Sequence, residues 1–149
     1  MLRGYFVVVI FHAKKDENIG TLWRSAFIYG AAYIFTIGRR YKKQSSDTTQ
    51  AWKHIPLIHY PEWEDFMDHI PYEAQIIGIE MDGWPLEKFT HPERAIYLLG
   101  AEDYGLPKEI IDRCQKTINV LTPKDISLNV ATAGSIVMYD RNLKKGAWL

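Results

Sequence analysis

The chain has 149 residues with 47% hydrophobic content, enough to bury a core, so we expect one globular domain over residues 1–149. Its 18 Lys and Arg residues balance 18 Asp and Glu residues, which argues against capture of nucleic acid by overall charge but leaves a local basic surface open. A single cysteine excludes an intrachain disulfide framework. We find no signal peptide and no apolar run of membrane-spanning length, so we expect a soluble, cytoplasmic protein.

The first third of the sequence predicts a strand, a helix and a second strand. Residues 5–11 form a continuous apolar, β-branched run, which is typical of a central strand buried on both faces. Apolar residues recur at helical spacing over residues 18–29, and Gly30 is placed to end that helix. Residues 33–37 are predicted to form the second strand. Such a unit is expected to give a parallel pair of strands.

Residues 38–53 interrupt the pattern, since they are basic and then hydroxyl-rich without apolar periodicity. We interpret them as a long mobile loop with at most a short helix around residues 48–52. Strands and helices then alternate to the end of the chain. The predicted strands are 54–60, 75–80, 96–99 and 117–121; the predicted helices are 63–69, 108–114 and 128–143, with a turn at Asp82-Gly83. This alternation predicts an α/β fold with a mostly parallel sheet and helices on both faces.

Two loops in the last third are candidates for one ligand pocket. The first follows the strand over residues 96–99 and is bounded by Gly100 and Gly105. In the second, Ser127 is predicted to cap a helix that begins near Leu128. Small residues at the start of that helix would allow close approach of a ligand or another backbone. Open α/β sheets bind ligands at loops of this kind, so we expect the two loops to meet.

Three motifs carry a resemblance to a known family. They are N-x-G-x-x-x-R at residues 18–24, L-G-A-E-D-Y-G-L-P at residues 99–107, and S-L-N-V-A-T-A at residues 127–133. In order and approximate spacing they resemble the motifs of the SpoU (TrmH-like) RNA 2'-O-ribose methyltransferases, over nearly the whole chain. The resemblance implies a SPOUT α/β domain with a deep C-terminal trefoil knot, S-adenosylmethionine (SAM) as cofactor, and a homodimer that completes the site.

The resemblance also implies roles for individual residues. Arg24 is the catalytic arginine by motif position, and because free arginine is a poor base we expect it to hold the target phosphate and the 2'-hydroxyl. The other catalytic candidates are Asn18, Glu102, Ser127 and Asn129. The cofactor-binding candidates are Ile79, Leu99, Gly100, Gly105, Asn119, Leu121, Ser127, Leu128 and Ala133. Apolar residues near the C-terminus are candidates for the dimer interface: Ile136, Val137, Tyr139, Trp148 and Leu149.

Simpler interpretations of the same residues stay open. Gly100 and Gly105 could only shape turns, Arg24 could be a solvated surface arginine, and Asn129 could only cap a helix. The sequence departs from the family at Asn119-Val120, where many members carry Ile-Pro. The basic run of Arg39, Arg40, Lys42 and Lys43 is a candidate RNA phosphate track or an ordinary solvated loop.

The function expected from these observations is SAM-dependent ribose 2'-O-methylation of RNA, because the chain resembles the minimal, single-domain tRNA methyltransferases most. rRNA is the alternative substrate. Two other classes are a non-catalytic RNA-binding protein that keeps the fold and an unrelated nucleotide-binding enzyme. The absence of G-x-G-x-x-G and P-loop motifs counts against the latter. The five histidines and the lone cysteine show no metal-ligand spacing, so we expect no metal.

Overall fold

The computed structural model of the chain describes residues 4–42, 53–100 and 105–148. Within these residues, six strands form one sheet in the order β3-β2-β1-β5-β4-β6, and every neighbouring pair is parallel. The strands are β1 (Tyr5–Phe11), β2 (Ile34–Ile37), β3 (Leu57–Tyr60), β4 (Gln75–Pro85), β5 (Arg94–Leu99) and β6 (Lys116–Asn119). The prediction of an α/β fold with a parallel sheet is confirmed.

The central strand β1 divides the core into two halves. Phe6, Val8 and Ile10 point into one half, whereas Val7 and Val9 point into the other. All five side chains are buried, because β1 lies between β2 and β5 and is covered on both faces. A strand buried on both faces is why the sequence shows a continuous apolar run here.

Among the described residues, four α-helices cover the two faces of the sheet, and a short 3-10 helix spans Leu86–Lys88. The helices are α1 (Asp16–Tyr29), α2 (Trp63–Met67), α3 (Lys108–Ile111) and α4 (Val130–Lys145). The long helices α1 and α4 pack against each other on one face, and α2 and α3 cover the other face. Gly30 ends α1 in the left-handed conformation with φ 84°, as predicted.

The predicted turn at Asp82-Gly83 is wrong, because both residues lie within β4. The chain does bend there, since the register against β6 shifts between Ile79 and Trp84, and both of these residues pair with Ile118. A Cβ atom on Gly83 would lie 2.5 Å from the carbonyl carbon of Ile118. Glycine is therefore required for close approach of two backbones and not for a reverse turn.

The start of the last helix also differs from the prediction. Ser127 does not cap it; α4 begins at Val130, and Asn129 is the N-cap. The Oδ1 atom of Asn129 accepts hydrogen bonds from the backbone N–H groups of Ala131 and Thr132, at 2.9 and 3.2 Å. The strand predicted over residues 5–11 has the same ends in the structure, and the other predicted elements within the described residues are present with different ends. The short helix expected around residues 48–52 lies outside the described residues.

A buried polar network fixes the C-terminal half of α4 to the start of β5. His91 Nε2 lies 2.7 Å from an oxygen of Asp140, and His91 Nδ1 lies 2.6 Å from the Tyr97 hydroxyl. Arg141 donates to the same hydroxyl at 3.0 Å and to the carbonyl oxygens of Pro92 and Glu93. These contacts suit a neutral His91 whose Nε2–H donates to Asp140 while the Tyr97 hydroxyl donates to Nδ1. Burial lowers the pKa of His91 to about 4, although the hydrogen bond to Asp140 opposes this shift.

The first prediction concerns this histidine and acid stability. A folded-state pKa below the unfolded value means that the unfolded chain binds more protons between pH about 6.5 and 4. The stabilising contribution is complete above pH 6.5 and is lost as pH falls to about 4, by about 3 kcal/mol. We expect His91→Gln to flatten the dependence of unfolding free energy on pH in this window, measured by urea denaturation. His69→Gln, at an exposed position, is the control; equal pH profiles for the wild type and His91→Gln would contradict the assignment.

Candidate active site

The first cavity lies where the loops after β5 and β6 meet the bend in β4. It has a volume of about 470 Å³, within the range of small-molecule sites. The two loops singled out in the sequence both line it. The structure places all nine of the predicted cofactor-binding residues in its wall: Ile79, Leu99, Gly100, Gly105, Asn119, Leu121, Ser127, Leu128 and Ala133.

Two glycines shape this cavity. A Cβ atom on Gly100 would lie 2.4 Å from the carbonyl carbon of Gly105 and 2.7 Å from the backbone nitrogen of Leu106. Gly105 itself has φ 66°, in the left-handed region that favours glycine. The wall of the cavity is therefore built by two pieces of backbone in direct contact, which only a glycine at position 100 permits.

Glu80 fixes the same piece of backbone from the opposite side. Its Oε1 atom accepts a hydrogen bond of 2.6 Å from the Leu106 N–H. The side chain lines the first cavity and is half-buried, and burial raises the pKa of its carboxyl group, although the hydrogen bond from Leu106 opposes the shift. The sequence analysis missed this residue. A charged residue directly after the apolar run over residues 76–79 was the available signal.

The first and third motifs meet inside one chain. Asn129 Nδ2 donates a hydrogen bond of 2.9 Å to Asn18 Oδ1, although the two residues lie 111 positions apart. Asn18 is only 7% exposed on α1, whereas Asn129 is exposed at the start of α4. Asn129 therefore has two contacts: its side-chain oxygen caps α4, and its side-chain N–H donates to Asn18 of the first motif.

A second cavity adjoins the first. It has a volume of about 800 Å³ and shares Ser127 and Leu128 with the first cavity. The Asn18–Asn129 pair lines it, and so do Lys14 and Lys15 from the loop between β1 and α1. The sequence analysis did not single out this loop. Glu17 also lines the second cavity, so its charged lining residues have a net charge of one positive unit, which suits an anionic ligand such as a phosphate.

Arg24 lies in neither cavity of its own chain. Six residues along an α-helix correspond to about 240° around the axis and about 9 Å along it, so Arg24 and Asn18 face different directions. Arg24 is exposed, on the same side of α1 as Ile28, which is 61% exposed. The structure therefore brings Asn18, Ser127 and Asn129 together but not Arg24. Glu102 lies outside the described residues.

The basic segment after β2 lies beside the start of α1. Arg39 forms a two-pronged contact with the carboxylate of Asp16 at 3.2 and 3.3 Å, and the hydrogen bond from Arg39 lowers the pKa of Asp16. Arg40 and Lys42 are exposed nearby, and the backbone N–H of Lys42 also donates to Asp16. Lys43 lies outside the described residues. This arrangement brings the described part of the segment to the same end of α1 as Lys15.

A parallel α/β sheet with a cavity at the carboxyl ends of its strands is the arrangement of cofactor-binding α/β enzymes. Residues 5–139 match the model of the SpoU rRNA Methylase family, and the chain belongs to that family. Among the described residues, no helix is long and apolar enough to cross a membrane, and no three His, Cys, Asp or Glu side chains are grouped as a metal site.

Three known proteins illustrate the relationship. The mouse tRNA (guanosine(18)-2'-O)-methyltransferase TARBP1 is 23% identical over 143 residues, which are 90% of this chain and 9% of that protein. The SpoU methyltransferase AviRb from Streptomyces viridochromogenes, solved in complex with AdoMet, superposes with a TM-score of 0.88 at 20% identity, over 99% of this chain and 60% of that one. A structure described as concerning 2'-OH methylation of C/U34 on tRNA superposes with a TM-score of 0.82 at 22% identity, over 97% and 98% of the chains. This chain thus spans less than a tenth of the mouse protein and about three fifths of AviRb.

Proposed function

We propose that this protein transfers a methyl group from SAM to the 2'-oxygen of a ribose in RNA, and that its substrate is tRNA. The observation that carries the proposal is the pair of adjoining cavities. One is lined by the loops of the second and third motifs, and the other is lined by lysines and by the Asn18–Asn129 pair. A methyltransferase needs a cofactor site and an acceptor site in contact, and Ser127 and Leu128 form the wall common to both.

The first cavity suits SAM in size and lining. Leu99, Leu121 and Leu128 offer apolar surface for an adenine ring, and the backbone around Gly100 and Gly105 can approach a ligand closely. SAM would supply a methyl group already activated by a positively charged sulfur. The protein then has to align the ribose oxygen with that methyl group and assist loss of the hydroxyl proton. Asn18 and Asn129 are placed to orient the ribose.

The RNA would approach across the basic residues near the start of α1. Lys14 and Lys15 line the second cavity, and Arg39, Arg40 and Lys42 lie on the neighbouring segment. Such a track can hold phosphates although the whole chain has no net charge, because phosphate contacts depend on local cations. The tRNA substrates in the names of the mouse relative and of the C/U34 structure support tRNA as the substrate; rRNA remains the alternative.

The proposal includes a homodimer and a knotted C-terminal region. Exposed aromatic side chains at the end of α4 support the dimer, since Tyr139 is 49% and Trp148 is 51% exposed and their rings are in contact. Val137, by contrast, is fully buried and cannot contribute to an interface; Leu149 lies outside the described residues. The knotted C-terminal region is proposed from membership of the SpoU rRNA Methylase family.

Two measurements test the proposed function. Calorimetric titration with SAM should show binding by the wild-type protein. Mass-spectrometric mapping of ribose methylation in tRNA and rRNA from a deletion strain should show one lost 2'-O-methyl group that the purified protein restores. Loss of a site in rRNA and none in tRNA would favour the alternative substrate, and no lost site with no SAM binding would contradict the function.

The second prediction separates the two tasks of Asn129. Asn129→Asp keeps an oxygen that can cap α4 but loses the N–H donor to Asn18, whereas Asn129→Ala loses both. We expect the alanine variant to be about 1 kcal/mol less stable, and the aspartate variant to keep its stability. Both should lose methylation by roughly tenfold or more, because the ribose is no longer oriented. Wild-type turnover by the aspartate variant would restrict Asn129 to its capping role.

A further inference from the structure

Charge in the first cavity is distributed unevenly between its interior and its rim. Among the described residues of its wall, the charged side chains are Glu80, Lys124 and Asp125. Lys124 and Asp125 are exposed at the rim, whereas Glu80 is half-buried beside Gly105. The described interior of the cavity therefore carries one negative charge.

One oxygen of the Glu80 carboxylate accepts a hydrogen bond from the protein backbone. Oε1 accepts the hydrogen bond from the Leu106 N–H, and within the part of the chain that the structure describes no hydrogen bond to Oε2 is present. Both oxygens would lie 3.1 Å from a Cβ atom at Gly105, so the carboxylate faces the glycine-bounded wall of the cavity. A half-buried carboxylate with an open oxygen is stabilised by a cation at that point.

The proposed cofactor brings such a cation. SAM has a positively charged sulfur at the centre of the molecule and an ammonium and a carboxylate at the end of a flexible tail. In the first cavity the tail would reach water and the exposed Lys124 and Asp125, and the sulfur at the centre would lie in the interior near Glu80. A buried charge is costly unless an opposite charge lies nearby.

We propose that the Glu80 carboxylate is the counter-ion of the SAM sulfur and that it makes the cavity prefer SAM to S-adenosylhomocysteine. This inference rests on the proposed function. The product of methyl transfer differs from SAM in lacking the methyl group and the positive charge on sulfur. Glu80 therefore favours the methyl donor before the reaction and ceases to hold the product after it, while its contact with Leu106 keeps the loop in place throughout.

The test is a pair of titrations with an isosteric variant. Glu80→Gln keeps an oxygen for the Leu106 N–H and removes the charge. By calorimetry we expect the affinity for SAM to fall about tenfold, equivalent to about 1.4 kcal/mol, and the affinity for S-adenosylhomocysteine to change by less than about twofold. Sinefungin is a SAM analogue with a protonated amine near the position of the methyl group, so its affinity should fall in this variant as that of SAM does. Glu109→Gln, the same substitution at an exposed residue of α3 that lines neither cavity, is the matched control and should leave all three affinities nearly unchanged.

Other outcomes separate this inference from the function itself. Suppose that both SAM and S-adenosylhomocysteine bind the wild type. If Glu80→Gln then lowers the two affinities equally, or lowers neither, the counter-ion role is overturned but the methyltransferase function is not. Binding of neither ligand to the wild type overturns both. If the variant does not fold, the affinities of the wild-type protein provide the test. SAM and sinefungin must then bind more tightly than S-adenosylhomocysteine. Equal or tighter binding of S-adenosylhomocysteine overturns the counter-ion role of Glu80.

Discussion

Gly100→Val is expected to abolish SAM binding while leaving a folded protein. The valine Cβ atom would lie 2.4 to 2.7 Å from the backbone of Gly105 and Leu106, so the two pieces of backbone have to separate. That separation displaces the loop that closes the first cavity and pulls the Leu106 N–H away from Glu80. Contacts this short with backbone atoms are not relieved by a rotamer change, so we expect the affinity to fall by a factor of about 100 or more.

Calorimetry with SAM gives the affinity, and circular dichroism with thermal unfolding shows whether the fold is retained. Gly30→Asn is the matched control, since Gly30 also has a positive φ but a Cβ atom there would meet nothing within 4 Å. Asparagine tolerates the left-handed conformation, so this variant should bind SAM normally. Unchanged affinity in a folded Gly100→Val protein would remove Gly100 from the site.

The sequence predicted those features whose structural reason acts within a short stretch of residues. The apolar run of β1 is continuous because neighbours cover both of its faces, and Gly30 ends α1 because the chain takes a positive φ there. Gly100 of the second motif lies where two pieces of backbone meet, and Gly105 has a positive φ; that the two glycines bind a cofactor stays a prediction. Each of these features can be deduced from a short stretch of residues.

Features that depend on distant contacts were missed or misplaced. Ser127 and Asn129 have nearly equal preference for the N-cap, and the backbone path through the third motif decides for Asn129. Glu80 gains its role from Leu106, 26 positions away. Gly83 stands in a dipeptide typical of turns, yet its neighbour is Ile118 of another strand. No local pattern encodes these pairings.

Substitution of Arg24 is also expected to have a large effect on activity, and the reason is the direction in which this side chain points. Arg24→Ala should bind SAM almost normally but lose turnover by about 100-fold or more, because the expected partners of this residue are the RNA and the transition state. Arg24 faces away from both cavities of its own chain, although Asn18 of the same motif lines one of them. It lies beside the exposed Ile28, on the helix that packs against α4. In the proposed dimer, an arginine so placed would serve a site in the second subunit across this surface.

Subunit mixing tests that arrangement directly. An Arg24→Ala protein and a Gly100→Val protein should each be inactive as homodimers. After subunit exchange, a heterodimer holds one site with an intact cavity from the first chain and an intact Arg24 from the second. We expect methylation to recover to about half of wild type per heterodimer, because a twofold interface presents the composite site twice. Mixing Arg24→Ala with the Arg24→Ala/Gly100→Val double variant is the control, since no site in that mixture has an arginine at position 24. No recovery despite confirmed exchange would mean that Arg24 serves the cavity of its own chain, and full activity of a monomer would exclude the composite site altogether.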